Sequence, residues 1–546
     1  MKSIMFKKYI FPISALAIAL TVSSCQKDFL DRKPLNLVSE EIVWQDPALI
    51  KLSVNEFYTF LKTGFDTYLP AAITDDMQLV GTEERKVISY LTGDFLSSTF
   101  PERNLWKDSY AQIRKLNVFI NRASVTPVLE EADRKLLLGQ ARFMRAYVYF
   151  NLFSNFKDAP LLLKHQSIEE AEDKPEKVSH AEGLKFVASE LLLAASELPD
   201  TYNKDEWGRV SKQTALALRS RVLLWAASPL VNPSNNLESW KLAAEAAEAV
   251  MKTNAFELKK DYADVFLTKN IMDKPEVILE VRYNGIKGEK MHANDQNNTP
   301  AGYGGKGINC PTQDIVDAYE MANGLAIDAP GSGYDPANPY KNRDPRFAMS
   351  ILYNGLEFKG RPVETFTGGK DLPRTNPTPT GYYTRKFMDE KFDFNKDKNV
   401  GSSSNWVIMR YAEILLNFAE AKNEAAGPST AIYDALNLIR KRAGMPAIAI
   451  GLNQDQLRAR IRQERRIELA FEDNIRYQDL KRWELASDLL NKSVKGVTIT
   501  KAANGTLSYK LKDAGARAFT AKNYWLPIPL VELGVNTNLN PQNPGW

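Results

Sequence analysis

Apolar residues return at helical intervals over much of the first half of the chain. Trp106, Tyr110, Ile113, Asn117 and Ile120 share one face, and Ala132 to Phe156, with Ala141, Met144, Tyr147, Val148 and Phe150, predicts a long apolar-rich helix. Further helices are expected over Ala181 to Leu198 and Ser211 to Ala227, stopped by Pro199 and Pro229. In the next, Ser239 to Thr253, Trp240, Ala243, Ala247 and Val250 make a small-residue stripe that lets neighbouring helices approach closely. An earlier helix opens at Asp46-Pro47, where Asp caps and Pro fits the first turn, and runs through Leu52, Phe57 and Phe60 to Leu61, ended by Gly64. Alternating helices with alanine at their contacts suit a helical-repeat stack, although no clean 34-residue period can be lined up. The predicted fold is mainly α: tetratricopeptide-like helix pairs with a loop-rich remainder and few short strands.

The period fails from Gly64 to Leu105, where polar residues alternate with Tyr68, Asp75, Asp76, Met77, Tyr90, Phe95 and Phe100. Loops longer than about 15 residues in a compact domain are usually functional or disordered, and this aromatic content argues against disorder. The middle of the chain is also irregular. Val277 to Tyr283 reads as a short strand, Gly302 to Gly307 is glycine-rich, and Asp328 to Pro345 and Gly360 to Gly381 are dense in Pro, Gly, Asn and Asp. Helices return at Asn405 to Ala426, Thr430 to Arg442 and Gln454 to Glu472; the segment from Trp525 to Trp546 holds four prolines and is expected to wrap the body as irregular structure.

The N-terminus changes the picture of where this body resides. Lys2, Lys7 and Lys8 precede an apolar run from Tyr9 to Val22, broken by Pro12 and short of the ~20 residues a membrane helix needs, so it reads as a removable export signal. Val22-Ser23-Ser24-Cys25 looks like a lipobox, with Cys25 the acylated first residue of the mature chain. Each buried methylene of an acyl chain adds about 0.8 kcal/mol, and more than one chain makes anchoring stable. Residues 26–36 read as the tether. Loss of residues 1–24 leaves 522 residues and lowers the formal charge from +4 to +1, because three lysines and no acid are removed. A near-neutral chain carries no electrostatic footprint for nucleic acid. With Cys25 acylated, Cys310 has no partner and no intramolecular disulfide is expected.

The motif search gives no indication of catalysis by the common routes. His165, His180 and His292 lack metal spacing, and no His-Glu-x-x-His, Gly-x-Ser-x-Gly or Cys-x-x-Cys occurs. Asp393, Asn395, Asp397 and Asn399 resemble the start of a calcium loop, but Lys398 stands where glycine is needed and Ser404 where glutamate is needed. Gly302 to Gly307 lacks the Lys-Ser/Thr ending of a phosphate loop. Opposite charges at helical spacing from Glu464 to Arg482 read as a salt-bridged scaffold element. No cofactor is implied. A glycan hydrolase working through paired carboxylates and a helical-repeat protein-binding adaptor are the alternatives in other classes.

The order of motifs resembles one family. After the lipobox come Phe29-Leu30-Asp31, then Ala141-Arg142-Phe143-Met144-Arg145-Ala146-Tyr147, Gly208-Arg209-Val210-Ser211-Lys212, Arg343-Asp344-Pro345-Arg346, and Arg410-Tyr411-Ala412-Glu413. Glu464-Arg465-Arg466-Ile467-Glu468-Leu469, Asp479-Leu480-Lys481-Arg482-Trp483, Pro527-Ile528-Pro529 and the terminal Asn540 to Trp546 follow. Together these resemble the SusD/RagB family of surface lipoproteins of the Bacteroidetes. The resemblance implies a lipid-anchored body on the outer face of the outer membrane, a lid over a SusC-like TonB-dependent transporter that captures oligosaccharides or other nutrients. It divides the chain into an N-terminal helical region, 37–260, and a C-terminal region, 261–546, packed as one body. Family ligand contacts come from the loop before the second helix and from the loop-rich middle, which here implies Asp76, Tyr90, Phe95 and Trp106 from the first and Asn298, Tyr303 and Tyr334 from the second. Replacing Cys25 by serine is expected to abolish incorporation of a palmitate analogue and to release the protein from cell envelopes; an unchanged label overturns the anchor.

Overall fold

The computed structural model describes residues 40–81, 85–166, 174–267, 275–287, 289–396 and 400–546. The export signal, Cys25 and the tether lie outside the described residues. Five long helices follow in order: α1 (Arg103–Val125), α2 (Glu131–Phe156), α3 (His180–Glu197), α4 (Lys212–Ala227) and α5 (Leu237–Lys252). Each packs on the next. Their starts are written in side chains: Ser179 and Ser211 each form a reciprocal capping box three residues ahead, and Asn236 caps α5. The α2–α3 crossing is tight because Gly183 has no side chain; a Cβ there would stand 2.3 Å from the Phe153 ring.

The stack is then interrupted. Residues 253–410 form the loop-rich part, framed by one antiparallel ladder between β1 (Val277–Val281) and β2 (Trp406–Arg410), in which Val277 faces Arg410 and Val281 faces Trp406. The chain re-enters the stack with α6 (Tyr411–Ala426), whose alanines Ala412, Ala419 and Ala421 are buried and which lies against α5. α7 (Thr430–Arg442) and α8 (Gln454–Glu468) pack on α6, and α9 (Ile475–Arg482) follows a sharp turn.

Three helical expectations need correction. Asn405 to Ala426 is not one helix, because Trp406 to Arg410 is a fully buried strand; an unbroken apolar run has no alternation to betray it. The eighth helix stops at Glu468 instead of Glu472, where left-handed backbone at Phe471 (φ 64°) and Asp473 (φ 43°) turns the chain. The helix opening at Asp46-Pro47 is α only over Pro47–Ser53, continues as a 3-10 helix over Val54–Phe60 and ends before Gly64, whose missing Cβ instead leaves room for the Trp406 indole, which a side chain would meet at 2.2 Å. A two-stranded hairpin, β3 (Val494–Lys501) and β4 (Leu507–Gly515), docks through the Val497 N–H on the Thr380 carbonyl and the Thr367 N–H on the Ile499 carbonyl. One hydrophobic core draws on residues from Ile50 to Leu539.

A buried ionic cluster joins the two parts. Arg410, at the end of β2, donates to Glu276 (2.7 Å), Glu468 (2.6 Å) and both oxygens of Glu472 (2.7 Å each). Arg346 reaches Asp344 (2.7 Å), Glu464 (2.5 Å) and Glu468 (3.0 Å); Arg440 bridges Glu320 and Glu464; Arg442 donates to Glu276 and Glu468. Burial works against the Glu468 carboxylate, but Arg442, Arg410 and Arg346 outweigh it and hold its pKa well below the usual range. Removing one member of such a set strands the others in a dry interior. Glu468→Gln is therefore expected to cost about 3–5 kcal/mol of stability, read as a lowered urea midpoint; an unchanged midpoint would show the cluster to be dispensable.

Candidate functional site

Between the stack and the stretch 62–105 lies a chamber of about 1300 Å³. One wall is α2, which presents Tyr147, Phe150, Asn151 and Ser154, spaced to share a helix face. The second is α4, with Arg221 and Trp225 one turn apart. The stretch 62–105 contributes Tyr68, Ile73 and Tyr90, and the turn into α9 contributes Asp473, Asn474 and Gln478. A further hollow of about 1020 Å³ adjoins it, sharing Lys62, Thr63, Glu102 and Tyr147 and adding Asp108 and Gln112.

The charges in these walls are matched. Arg221 grips Glu413 with two bonds of 2.7 Å, donates to the Ile408 carbonyl at 2.5 Å and stands 3.4 Å from Asp473. Asp479 accepts from Arg465 (2.7 Å) and Arg482 (2.9 Å). Burial pushes the Glu413 carboxyl up, yet Arg221 prevails and holds it low, which suits an ion pair and not a proton donor. The amide oxygens of Asn474 and Gln478 are buried without a partner in the protein. Tyrosine and tryptophan faces beside open amide acceptors are the chemistry that holds a sugar: rings lie on C–H surfaces and acceptors take hydroxyls.

Behind Trp225 the wall is unusual. Its indole N–H donates to His180 at 3.4 Å. The Lys481 ammonium donates to the Ser154 carbonyl at 3.0 Å and faces the rings of Trp225, Tyr477 and Trp525 at 5.3–5.8 Å. Burial lowers its pKa to about 7.

The predicted contacts fall in separate places. Tyr90 lines the chamber, its ring edge-on to Phe95 and Tyr477. Asp76 is buried under Arg466, and beside it Asp75 is held by Arg476 and Arg466, which overcome the cost of burial and keep its pKa well below normal. Phe95 stacks on Trp546 at 5.2 Å, and Trp106 packs against Phe156 and Tyr110 in the core. Asn298 is interior, donating to Asn294 and accepting from Asn309. Tyr303, half-buried, carries the Arg361 guanidinium on its face at 3.6 Å, and Tyr334 lies under Arg343 at 5.8 Å. Only Tyr90 of the seven lines the chamber. Arg221, Trp225, Asn151, Asn474 and Gln478 were not foreseen; the one signal for them is the i, i+4 spacing of Tyr147 with Asn151 and of Arg221 with Trp225.

Among the described residues no group of three or more His, Cys, Asp or Glu is arranged to hold a metal ion, and no helix is long and apolar enough to cross a membrane. Residues 397–399 of the calcium-like pattern lie outside the described residues. Cys310 is buried and its thiol is pushed up to about 12.

Comparison with known proteins returns one family throughout. Residues 275–546 match the family described as "SusD family", and residues 28–224 match one described as "Starch-binding associating with outer membrane". SusD-like protein P2 of Formosa agariphila is 27% identical over 574 residues, 99% of this chain and 100% of that protein. Among solved structures, a SusD-like protein from Bacteroides fragilis NCTC 9343 superposes with a TM-score of 0.81 at 27% identity, covering 94% of this chain and 100% of that one. A SusD-like carbohydrate binding protein from the same organism gives 0.78 at 27% identity, with 91% and 99% coverage.

The buried lysines make stability depend on pH. Lys481, at about 7, and Lys386, lowered to about 8 by burial despite Glu472, shed their protons in the fold well before they do so in the unfolded chain. The unfolded state therefore binds more protons above pH 7, and stability rises with pH. Urea midpoints are expected to climb between pH 7 and 8.5, by up to about 1.4 kcal/mol per unit for each lysine once neutral. Lys481→Met should shorten that climb; a climb of unchanged size would show that Lys481 stays charged in the fold.

Proposed function

Since the chain belongs to the SusD family, we propose that it is a non-enzymatic surface lipoprotein that captures an oligosaccharide and passes it to a SusC-like TonB-dependent transporter, over which it acts as lid. Acylation at Cys25 holds the body to the outer membrane, facing outward, and residues 25–36 join the body to that anchor. Regions 37–260 and 261–546 move as one body on that tether. A lid must release what it binds unchanged, which asks for a site that holds hydroxyl-rich ligands without attacking them.

The observation that carries this reading is the chamber: tyrosine and tryptophan rings beside unpartnered amide oxygens, with Arg221 holding Glu413 low while burial raises Asp473. A glycan hydrolase needs a carboxyl able to give up a proton, so return of the glycan intact is the readout that separates the two readings. The related carbohydrate binding protein from Bacteroides fragilis supports the ligand class. Tyr90 is the predicted contact placed to serve, with Tyr68 and Asn151 beside it.

The purified protein is expected to retain at least one member of a glycan panel and to return it intact. Tyr90→Ala and Tyr68→Ala should each weaken that binding about 3- to 10-fold, the loss of one aromatic contact of about 0.5–1.5 kcal/mol. Calorimetry measures the first and product chromatography the second. Absence of retention across the panel, or fragmentation of the glycan, overturns the proposal.

A further inference from the structure

A second cleft, apart from the chamber, lies where the loop before α4 meets β1. Its hollow, counted out to open solvent, is about 980 Å³. Tyr202, Trp207 and Phe256 supply its ring surfaces, and Gln213, Glu280 and Arg282 its polar groups. A second hollow of about 720 Å³ adjoins it, sharing Trp207, Glu280 and Arg282.

The shared wall is built to stay in place. Arg282 donates to the Trp207 carbonyl at 3.0 Å. Gly208, with φ of 96°, lets the backbone pass this arginine; a Cβ would sit 3.2 Å from Arg282 Cδ. Gln213 is fixed by the capped start of α4 and is only 6% exposed. Its Nε2 donates to Asp200 at 3.1 Å, while its Oε1, on the cleft wall, has no partner in the protein. A buried acceptor left unmade costs about 1–3 kcal/mol, a cost a ligand donor would relieve. Glu280 accepts from Asn405 at 2.9 Å. Three cations line the cleft: Arg282 donates to the Trp207 carbonyl and stands 3.6 Å from Glu280, Arg209 donates to Gln140 and Asn55, and Lys259 stands on the opposite chain segment.

Three ring-bearing residues, an unpartnered amide oxygen and a carboxylate that can take a further donor suit a neutral polyol. We propose that this cleft is a second, independent glycan site, in which a neutral oligosaccharide lies across Trp207 with its hydroxyls on Gln213 Oε1 and Glu280. The two hollows meet at Trp207, Glu280 and Arg282, which gives the site length for more than one pyranose ring. It shares the ligand class proposed for the chamber but no wall with it.

The full-length protein in detergent is titrated with maltohexaose, cellohexaose, laminarihexaose, xylohexaose and mannohexaose by calorimetry, and Trp207 oxidation is followed by mass spectrometry at saturation. With at least one hexaose, Trp207 should be protected, and Trp207→Ala should weaken one binding step tenfold or more. Trp207→Phe should restore most of it, and Tyr90→Ala should leave that step unaltered. Trp207 reactivity unchanged by every hexaose overturns this inference, whatever happens to the folding of the variants. A Tyr90-dependent step that persists alone removes this site and keeps the chamber; a Trp207-dependent step that persists alone does the reverse; no binding by any hexaose removes both.

Discussion

Charge placed in a dry interior is tolerated only when every member finds its counterpart, and this protein's two parts meet around such a set. Glu468 lies at the end of α8 with no exposed surface and takes Arg346 from the loop-rich part, Arg410 from the returning strand and Arg442 from α7. Each partner arrives on a different element. The geometry that satisfies Glu468 is thus also the geometry that closes residues 253–410 onto the helices. Such clusters are costly to desolvate and give weak evidence of net stability; what they enforce is a single arrangement, because any other leaves a bare charge.

That arrangement positions the chamber. Arg465 and Arg466 follow Glu464 on the same helix, one reaching Asp479 behind the chamber and the other gripping Asp75 and Asp76 in the stretch that forms its front. Arg476 closes on Asp75 from α9. The front wall is therefore pinned by the helix that organises the ionic cluster, while the back wall rests on the α2–α4 stack. Binding surfaces assembled from irregular segments need a rigid support of this kind, since loops alone do not hold side chains to sub-ångström positions.

The helices were legible because periodicity and caps agree: Asp46, Ser211 and Asn453 each start an element where the apolar spacing begins. The buried strand Trp406–Arg410 was not, since a run without alternation looks the same in a sheet or a helix core. The β3–β4 hairpin left a readable signal, alternating residues on both sides of Asn504-Gly505, that went unused. The charged stretch Glu464 to Arg482 is a scaffold as expected, but its partners Asp75, Asp76, Arg346 and Arg410 are far away in sequence, so its burial could not be foreseen. The same reason separates Tyr90, which reaches the chamber, from Asp76, Phe95, Trp106 and Asn298, which lie inside the protein: residue type marks what a side chain can do, and only packing decides whether it faces outward. Trp207, an aromatic in the polar run from Asn203 to Gly208, was the overlooked surface signal.

The ion pairs between Asp75 or Asp76 and Arg466 or Arg476 join positions 390 to 401 apart along the chain. Synthesis delivers the early aspartates first, and they wait for their arginines until the C-terminal helices have emerged. Contacts of such sequence separation carry a large loop-closure cost before they give anything back, which slows folding. An intermediate in which α1–α5 have stacked while the stretch 62–105 is still loose is the natural consequence, with Tyr68, Tyr90 and the apolar flank of α2 open to water. The surfaces that shape the chamber in the finished protein are the ones a chaperone would have to shield while it is being made.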